Sequence, residues 1–420
     1  MSLHFSALGS RQTESDIARL MTTALANPDL LSLAAGFTDT ETLPLAELTE
    51  MANLLGEEGD KSVLQYGTNQ GHLGLRKLLT ERLESQDCSA TSYAIENSFI
   101  SNGSQQALYL AVQTLCDAGD IILVEEPTYF VFLEMLRGLG VEAVSMPMLA
   151  NGDVDVEGVS GLLDFYAERG ELSRVKALYL VSYFANPSGH SVSRSCKESL
   201  LNLLNSYEGR IALFEDAAYR ELYYDEPCEA ESFLKLLGET SSVPVFYTTT
   251  LTKPFATGLK VGYGYCNHHE WLGKMLSLKG QQDFGTSNYD QALLFKALDT
   301  GLFDRHLAGL RKSYQSKMET LHDALETALI GMQWSWEKPA GGLYLWLTAP
   351  DGVRTGFDSE FHRMAVEQGV LYVPGELCHA KKTPLNRVRL SFGVLQPDAL
   401  KKAAKRFADA VLSVSAPANL

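Results

Sequence analysis

The chain has few cysteines, and they are dispersed: 6 among 420 residues, with no Cys-x-x-Cys pair. Cys88, Cys116, Cys196, Cys228, Cys266 and Cys378 stand far apart, which excludes a disulfide framework and points to reduced thiols in a cytoplasm. Long apolar runs are also missing. The longest, around Ala177 to Val181, is far too short to cross a bilayer, and the opening Met-Ser-Leu-His-Phe carries no basic-then-apolar leader. Basic residues are scarce, Lys plus Arg numbering 35 against 52 Asp plus Glu for a net charge of -17. That balance disfavours nucleic acid and anionic membrane surfaces as partners, so any anionic ligand has to be held by local groups. His268-His269-Glu270 is the one stretch that suggests a metal. No further ligand stands at a helical or ribbon spacing from it, so a solvated loop and no metal are expected. Internal repeats and low-complexity segments are absent.

What is present suits a large soluble enzyme: 45% hydrophobic and 21% charged residues, enough for one large and one smaller domain. Ile17, Leu20, Met21 and Leu25 recur at helical spacing, and Pro28 stops the pattern. Leu30 to Leu33 is extended and enters a turn at Gly36, which serves the turn itself or the close approach of a ligand. Tyr66-Gly-Thr-Asn-Gln-Gly71 is a polar loop before a helix over 73–83. From Phe99 onward, seven short apolar runs alternate with helical patterns (99–100, 121–124, 141–146, 177–183, 211–214, 245–249, 261–266), which predicts a mostly parallel α/β sheet with its ligand at the strand ends. Tyr314, Met318, Leu321, Leu325 and Leu329 predict a long amphipathic helix ending at Gly331. Beyond it, strands over 333–336, 343–347, 370–373 and 388–392 and helices over 357–368 and 397–411 make an α+β unit, followed by a frayed tail to Leu420.

The candidate chemistry lies at the ends of those strands. Thr250-Leu-Thr-Lys253 sets a lysine behind two hydroxyls, with Lys260 seven residues on. Lys253 is the candidate for a Schiff base, with Thr250 and Thr252 near a phosphate. Taken alone, the stretch also fits a Thr-rich turn with two solvated lysines. Gly103, Ser104 and Gln105 open a helix whose free N–H groups suit a phosphate, although a simple Ser or Asn cap explains the same residues. Tyr129 is placed either over a flat ring or in the core, and Asn186, in an Asn-Pro-Ser-Gly turn, keeps an amide free for a phenolic oxygen. Asp216 needs a cation at the lip of an apolar sheet, which a protonated pyridine nitrogen would supply, and Tyr219 reaches the same ring. Arg387 and Arg389 share a strand face and suit bidentate capture of a carboxylate; a solvated surface strand is the alternative, and for Arg387 it stays open. Together these motifs describe one pyridoxal phosphate site.

Gln65-Tyr-Gly67, Gly103-Ser-Gln-Gln-Ala-Leu108, Pro127-Thr-Tyr129, Asn186-Pro-Ser-Gly189, Glu215-Asp-Ala-Ala-Tyr219, Thr252-Lys253, Pro339-Ala-Gly-Gly342 and Arg389-Leu-Ser-Phe392 occur in that order over nearly the whole chain. The set resembles the class I and II aminotransferases of pyridoxal phosphate fold type I, nearest the 2-aminoadipate, aromatic and branched-chain enzymes. The resemblance implies a large domain over 46–300 with the seven-stranded sheet, a small α+β domain over 301–420, and an N-terminal segment, 1–45, packed with the small domain. It implies pyridoxal 5'-phosphate on Lys253, which also moves the substrate proton, with Asp216 at the pyridine nitrogen, Tyr129 stacked on the ring and Asn186 and Tyr219 at its hydroxyl oxygen. Ser104, Gln105, Thr250, Thr252 and Lys260 hold the phosphate, joined by Tyr66 from the other subunit of a homodimer, and Arg389 takes the substrate carboxylate beside Gly36 and Asn186. Three positions depart from the pattern: Lys260 for the usual arginine, Thr257 for a common proline, and Ala18 where some relatives place an arginine for acidic side chains. Neutral aromatic or aliphatic amino acids are therefore the expected donors. Carbon–sulfur lyase, cyclopropane-forming and oxidase chemistries occur on the same fold, and these motifs do not separate them. A cofactor-sensing regulator needs a basic DNA-binding module, and none stands before Gln65.

Overall fold

The computed structural model describes residues 3–89, 92–238 and 240–415; the expected frayed tail lies outside these from 416 onward. Its strands are β1 (Leu31–Ser32), β2 (Ser98–Asn102), β3 (Ile121–Val124), β4 (Glu142–Ser145), β5 (Val175–Val181), β6 (Ala212–Asp216), β7 (Val245–Thr250), β8 (Val261–Cys266), β9 (Tyr344–Thr348), β10 (Val370–Leu371), β11 (Val373–Pro374) and β12 (Arg387–Ser391). Seven form one sheet in the order β2-β8-β7-β6-β5-β3-β4. The pairs from β7 to β4 are parallel, while β8 runs antiparallel to both β2 and β7. Strands β3, β6 and β8 are buried along their whole length, and β3 accordingly reads as an unbroken apolar run. The parallel strands β5, β6 and β7 end at Val181, Asp216 and Thr250, and these three residues border one cavity.

The second sheet has the order β11-β12-β9, with both pairings antiparallel. The helix Leu302–Ala328 leads into it, longer at its N-terminal end than the sequence pattern implies, with Leu302, Phe303, Leu307, Leu310, Tyr314, Met318, Leu321 and Leu325 on its buried side. It packs against the helix Pro397–Ser415.

Three expectations change, and one helix was not expected. The run 333–336 is not a strand: Gln333 takes a left-handed φ of 58°, and only Ser335 bridges to Thr348. The run 370–373 divides, because Val370 and Leu371 pair with β1 while Val373 turns to β12. His268 caps the helix His269–Gln282 by accepting from the Trp271 amide at 3.2 Å, so His268-His269-Glu270 is a helix start and not a loop. A short helix, Ala7–Arg11, escaped the sequence reading. Its Arg11 donates to the carbonyls of Gly138 (3.3 Å) and Leu139 (3.1 Å) in the last turn of the helix Phe130–Leu139.

Candidate active site

A cavity of about 410 Å³ opens at the ends of β5, β6 and β7, facing β9 and β12 of the small sheet. Gly36, Gly103, Ser104, Gln105, Tyr129, Asn186, Asp216, Tyr219, Thr250, Thr252, Lys253, Lys260 and Arg389 all line it. The topology explains the convergence. Each parallel strand delivers its following loop to the same edge of the sheet, and the antiparallel return of β8 brings Lys260 back beside the start of the helix Gly103–Leu115. At that start, Asn102 makes no side-chain cap and Gly103 stands at φ +70°, so the first N–H groups of the helix face the cavity uncapped. Asn102 is instead drawn aside: its Nδ2 donates to Asp283 Oδ2 at 2.7 Å, and Gln106 Nε2 donates to the same oxygen at 2.7 Å. A Cβ at Gly262 of β8 would lie 2.4 Å from the Gly103 carbonyl carbon, so this close approach of strand to helix end requires glycine.

The electrostatics test what the cavity suits. Asp216 is 3% exposed and accepts from Tyr179 Oη (2.9 Å) and the Ala218 amide (3.1 Å), but pairs with no cation among the described residues. Burial raises its pKa to about 6. A carboxylate so placed suits a protonated ring nitrogen. Its neighbour Glu215 has a cation of its own, Lys197 Nζ at 2.8 Å, so the two acids of the Glu-Asp pair do different jobs. Lys253 Nζ donates to the Gly36 carbonyl; burial lowers its pKa, with Arg389 and Lys260 adding to the effect and Tyr344 opposing it. Thr250 and Thr252 share a 2.7 Å hydroxyl contact, next to the uncapped helix end. Arg389 is 1% exposed; its Nη1 donates to Asn186 Oδ1 (2.9 Å) and its Nη2 to the Ala34 carbonyl (2.7 Å). That bond fixes the Asn186 amide with its oxygen toward Arg389, leaving Nδ2 available as a donor. An anion cradle, an unpaired buried carboxylate and a desolvated lysine in one cavity fit pyridoxal phosphate at its phosphate, ring nitrogen and aldehyde respectively.

Tyr66 is the exception among the expected residues. It lies outside the cavity, 79% exposed, edge-on to Phe284 with ring centroids 5.5 Å apart. Arg387 also leaves its expected neighbour: it lines a different cavity on the same sheet face. The sequence reading missed Tyr344, whose hydroxyl lies 3.1 Å from that of Tyr219 and whose ring carries the Arg389 guanidinium at 4.4 Å. It also missed Glu125, buried behind Asp216, which accepts from the Val181 amide at 2.8 Å and whose pKa burial raises to about 8. Both sit in apolar strand patterns that look like ordinary core. Thr257, noted as a departure, contacts Thr38 hydroxyl to hydroxyl at 2.6 Å and so ties the lysine loop to the N-terminal segment.

Comparison with known proteins places the whole chain among relatives. The family model described as "Aminotransferase class I and II" matches residues 28–407. Aromatic-amino-acid aminotransferase 1 of Thermococcus litoralis is 30% identical over 409 residues, covering 96% of this chain and 93% of the relative. The 2-aminoadipate transaminase of Thermus thermophilus is 27% identical, covering 96% and 95%. The solved structure of a kynurenine aminotransferase from Pyrococcus horikoshii, in complex with PMP, superposes with a TM-score of 0.87 at 28% identity, over 98% of both chains.

Proposed function

The chain belongs to the class I and II aminotransferases, and from that premise we propose that its preferred donors are α-amino acids with neutral aromatic or aliphatic side chains. It is a pyridoxal-phosphate-dependent transaminase that moves an amino group from an amino acid to a 2-oxo acid. When bound, the cofactor supplies an aldehyde that condenses with amino groups and a ring that draws electrons from the substrate Cα.

The chain's own residues supply the rest. Lys253 anchors the aldehyde end and takes the proton from the substrate Cα, and burial, which lowers its pKa, favours it as a base. Asp216 holds a proton on the ring nitrogen, Tyr129 covers the ring, and Asn186 Nδ2 and Tyr219 donate to the ring oxygen. The N–H groups at Gly103, Ser104 and Gln105, the hydroxyls of Thr250 and Thr252 and the ammonium of Lys260 bind the phosphate. Arg389, held by Asn186 and the Ala34 carbonyl, binds the substrate carboxylate beside Gly36 and so orients the Cα bonds.

One observation carries the donor preference. From the helix Asp16–Ala26 it is Ile17 that borders the cavity, together with Phe37 and Val131, whereas Arg19 turns away. The Arg19 guanidinium lies 4.2 Å over the Phe357 ring and 3.8 Å from Asp358. A distal carboxylate against Ile17, Phe37 and Val131 would be desolvated without a partner, which is costly; an aromatic or aliphatic side chain is at home there. Similarity to an aromatic-amino-acid enzyme points the same way, and similarity to a 2-aminoadipate enzyme does not.

The site is completed in a homodimer, Tyr66 reaching the partner's phosphate. Leu45, Leu64, Tyr66, Leu73 and Phe284 are large, apolar and exposed, and they support that assembly. Pairing of β1 with β10 supports grouping 1–45 with a small domain over 301–420, apart from a large domain over 46–300. The six cysteines, none bonded to another, support a reducing compartment such as the cytoplasm. Among the described residues no helix is long and apolar enough to cross a membrane.

The test is a panel of phenylalanine, leucine, glutamate and 2-aminoadipate with a common 2-oxo acid. The expected kcat/KM is about tenfold or more higher for the neutral donors. A preference for either acidic donor would overturn the proposal.

A further inference from the structure

Two arginines alternate on one face of β12 and meet different fates. Arg389 has both terminal nitrogens engaged, Nη1 by Asn186 and Nη2 by the Ala34 carbonyl, and only its Nε is without a partner. Arg387 opens into a separate and larger cavity of about 740 Å³, at the seam between loops of the seven-stranded sheet and the small sheet. Among the described residues its guanidinium makes no hydrogen bond or ion pair: Nη1 is buried without an acceptor, and Asp351 acts on it only at a distance. An unpaired, partly buried guanidinium is unexpected in a chain of net charge -17, where acidic side chains are plentiful.

The rest of the cavity is built rather than incidental. Trp336 and Trp346 line it, and Trp336 is fixed by donation from Nε1 to His322 Nδ1 at 3.0 Å. His379, 4% exposed, forms part of the wall; its ring lies 6.1 Å from that of Trp346, its Nδ1 meets Glu126 at 2.6 Å, and its Nε2 has no partner. Pro127 and Met146 extend the apolar surface. The volume is that of small-molecule sites, which combine apolar and aromatic walls with a few placed polar groups.

We propose that this cavity is a second small-molecule site, specific for aromatic carboxylates: the carboxylate pairs with the Arg387 fork and the flat body lies along Trp336 and Trp346. Such a ligand bridges the two sheets in a cavity that shares no lining residue with the one around Lys253. The inference does not depend on the donor preference, nor on the role given to Arg389.

The experiment is calorimetric titration of the holoenzyme with 3-phenylpropionate, which carries no amino group and cannot be turned over as a donor. The expected result is a binding event lost in Arg387→Gln and kept in Arg389→Gln. Arg387→Lys, which keeps the charge and loses the fork, should weaken it about tenfold. 3-Phenylpropan-1-ol, without the charge, and acetate, without the ring, should each bind there about tenfold more weakly or less. Any event at Arg389 disappears in Arg389→Gln and shows that Arg387→Gln remains folded. A wild-type enzyme with no event sensitive to Arg387, or an event retained unchanged in both Arg387 variants, would overturn the proposal.

Discussion

At Lys253 the ε-amine meets the Gly36 carbonyl inside a wall that strips it of water, with the cations Arg389 and Lys260 close enough to oppose its charge. Lys253→Ala should lose the visible absorbance of bound cofactor while its thermal transition stays near wild type, measured by absorbance and melting of the same sample. Arg389→Lys keeps a cation but loses the fork, and kcat/KM should fall by roughly ten- to a thousandfold, with cofactor content unchanged because the phosphate contacts lie on other elements. Glu125 supplies a pH prediction. Its pKa is raised to about 8 by burial, so its contribution to stability is complete below the ordinary carboxylate range and is lost as pH climbs through about 8. Glu125→Gln keeps an oxygen for the Val181 amide and has no proton to lose, so its melting temperature should gain on wild type between about pH 4.5 and 8; parallel curves would count against the assignment. Lys253 and Arg389 were legible in the sequence because their motifs are local. Glu125 and Tyr344 were not, since a carboxylate after a buried strand and a tyrosine within one acquire their roles only from residues far away in the chain.

Elements repeat the lesson at larger scale. A strand such as β3 was readable because it is buried along its whole length and leaves an unbroken apolar run. Val370 to Pro374 was not readable as two strands, because the change of partner from β1 to β12 is a tertiary fact with no local signal. The same holds for the cavity end of the helix Gly103–Leu115. Its Asn102 is a good capping residue by type, yet Asp283, itself bonded to Lys279 Nζ at 2.7 Å, draws the Asn102 side chain away from the helix end. Asp283→Ala should free Asn102 to cap the helix and compete for the N–H groups. The dissociation constant of pyridoxal phosphate from the apoenzyme should then rise about tenfold, read by fluorescence titration; an unchanged value would leave Asp283 a purely structural residue.

For the whole molecule, the division of labour between two sheets explains why one cavity gathers residues from Gly36 to Arg389: the large sheet presents strand ends, and the small sheet closes over them with Tyr344 and Arg389. Tyr66 stands apart from this cavity in a single chain, so the role proposed for it requires a second copy. Mixing Lys253→Ala with an inactive Tyr66→Phe variant, after dissociation and reassociation, should restore activity toward a quarter of wild type, since half the dimers are mixed and each mixed dimer has one intact site. Independent monomers would show no recovery. The central claim, that the chain passes an amino group from one carbon skeleton to another, is tested most directly by following ¹⁵N from a labelled neutral amino acid in the presence of an unlabelled 2-oxo acid. The expected result is ¹⁵N in the new amino acid, in step with loss of the donor and with no labelled ammonia. Label released as ammonia, with no ¹⁵N in the acceptor's product, would contradict it.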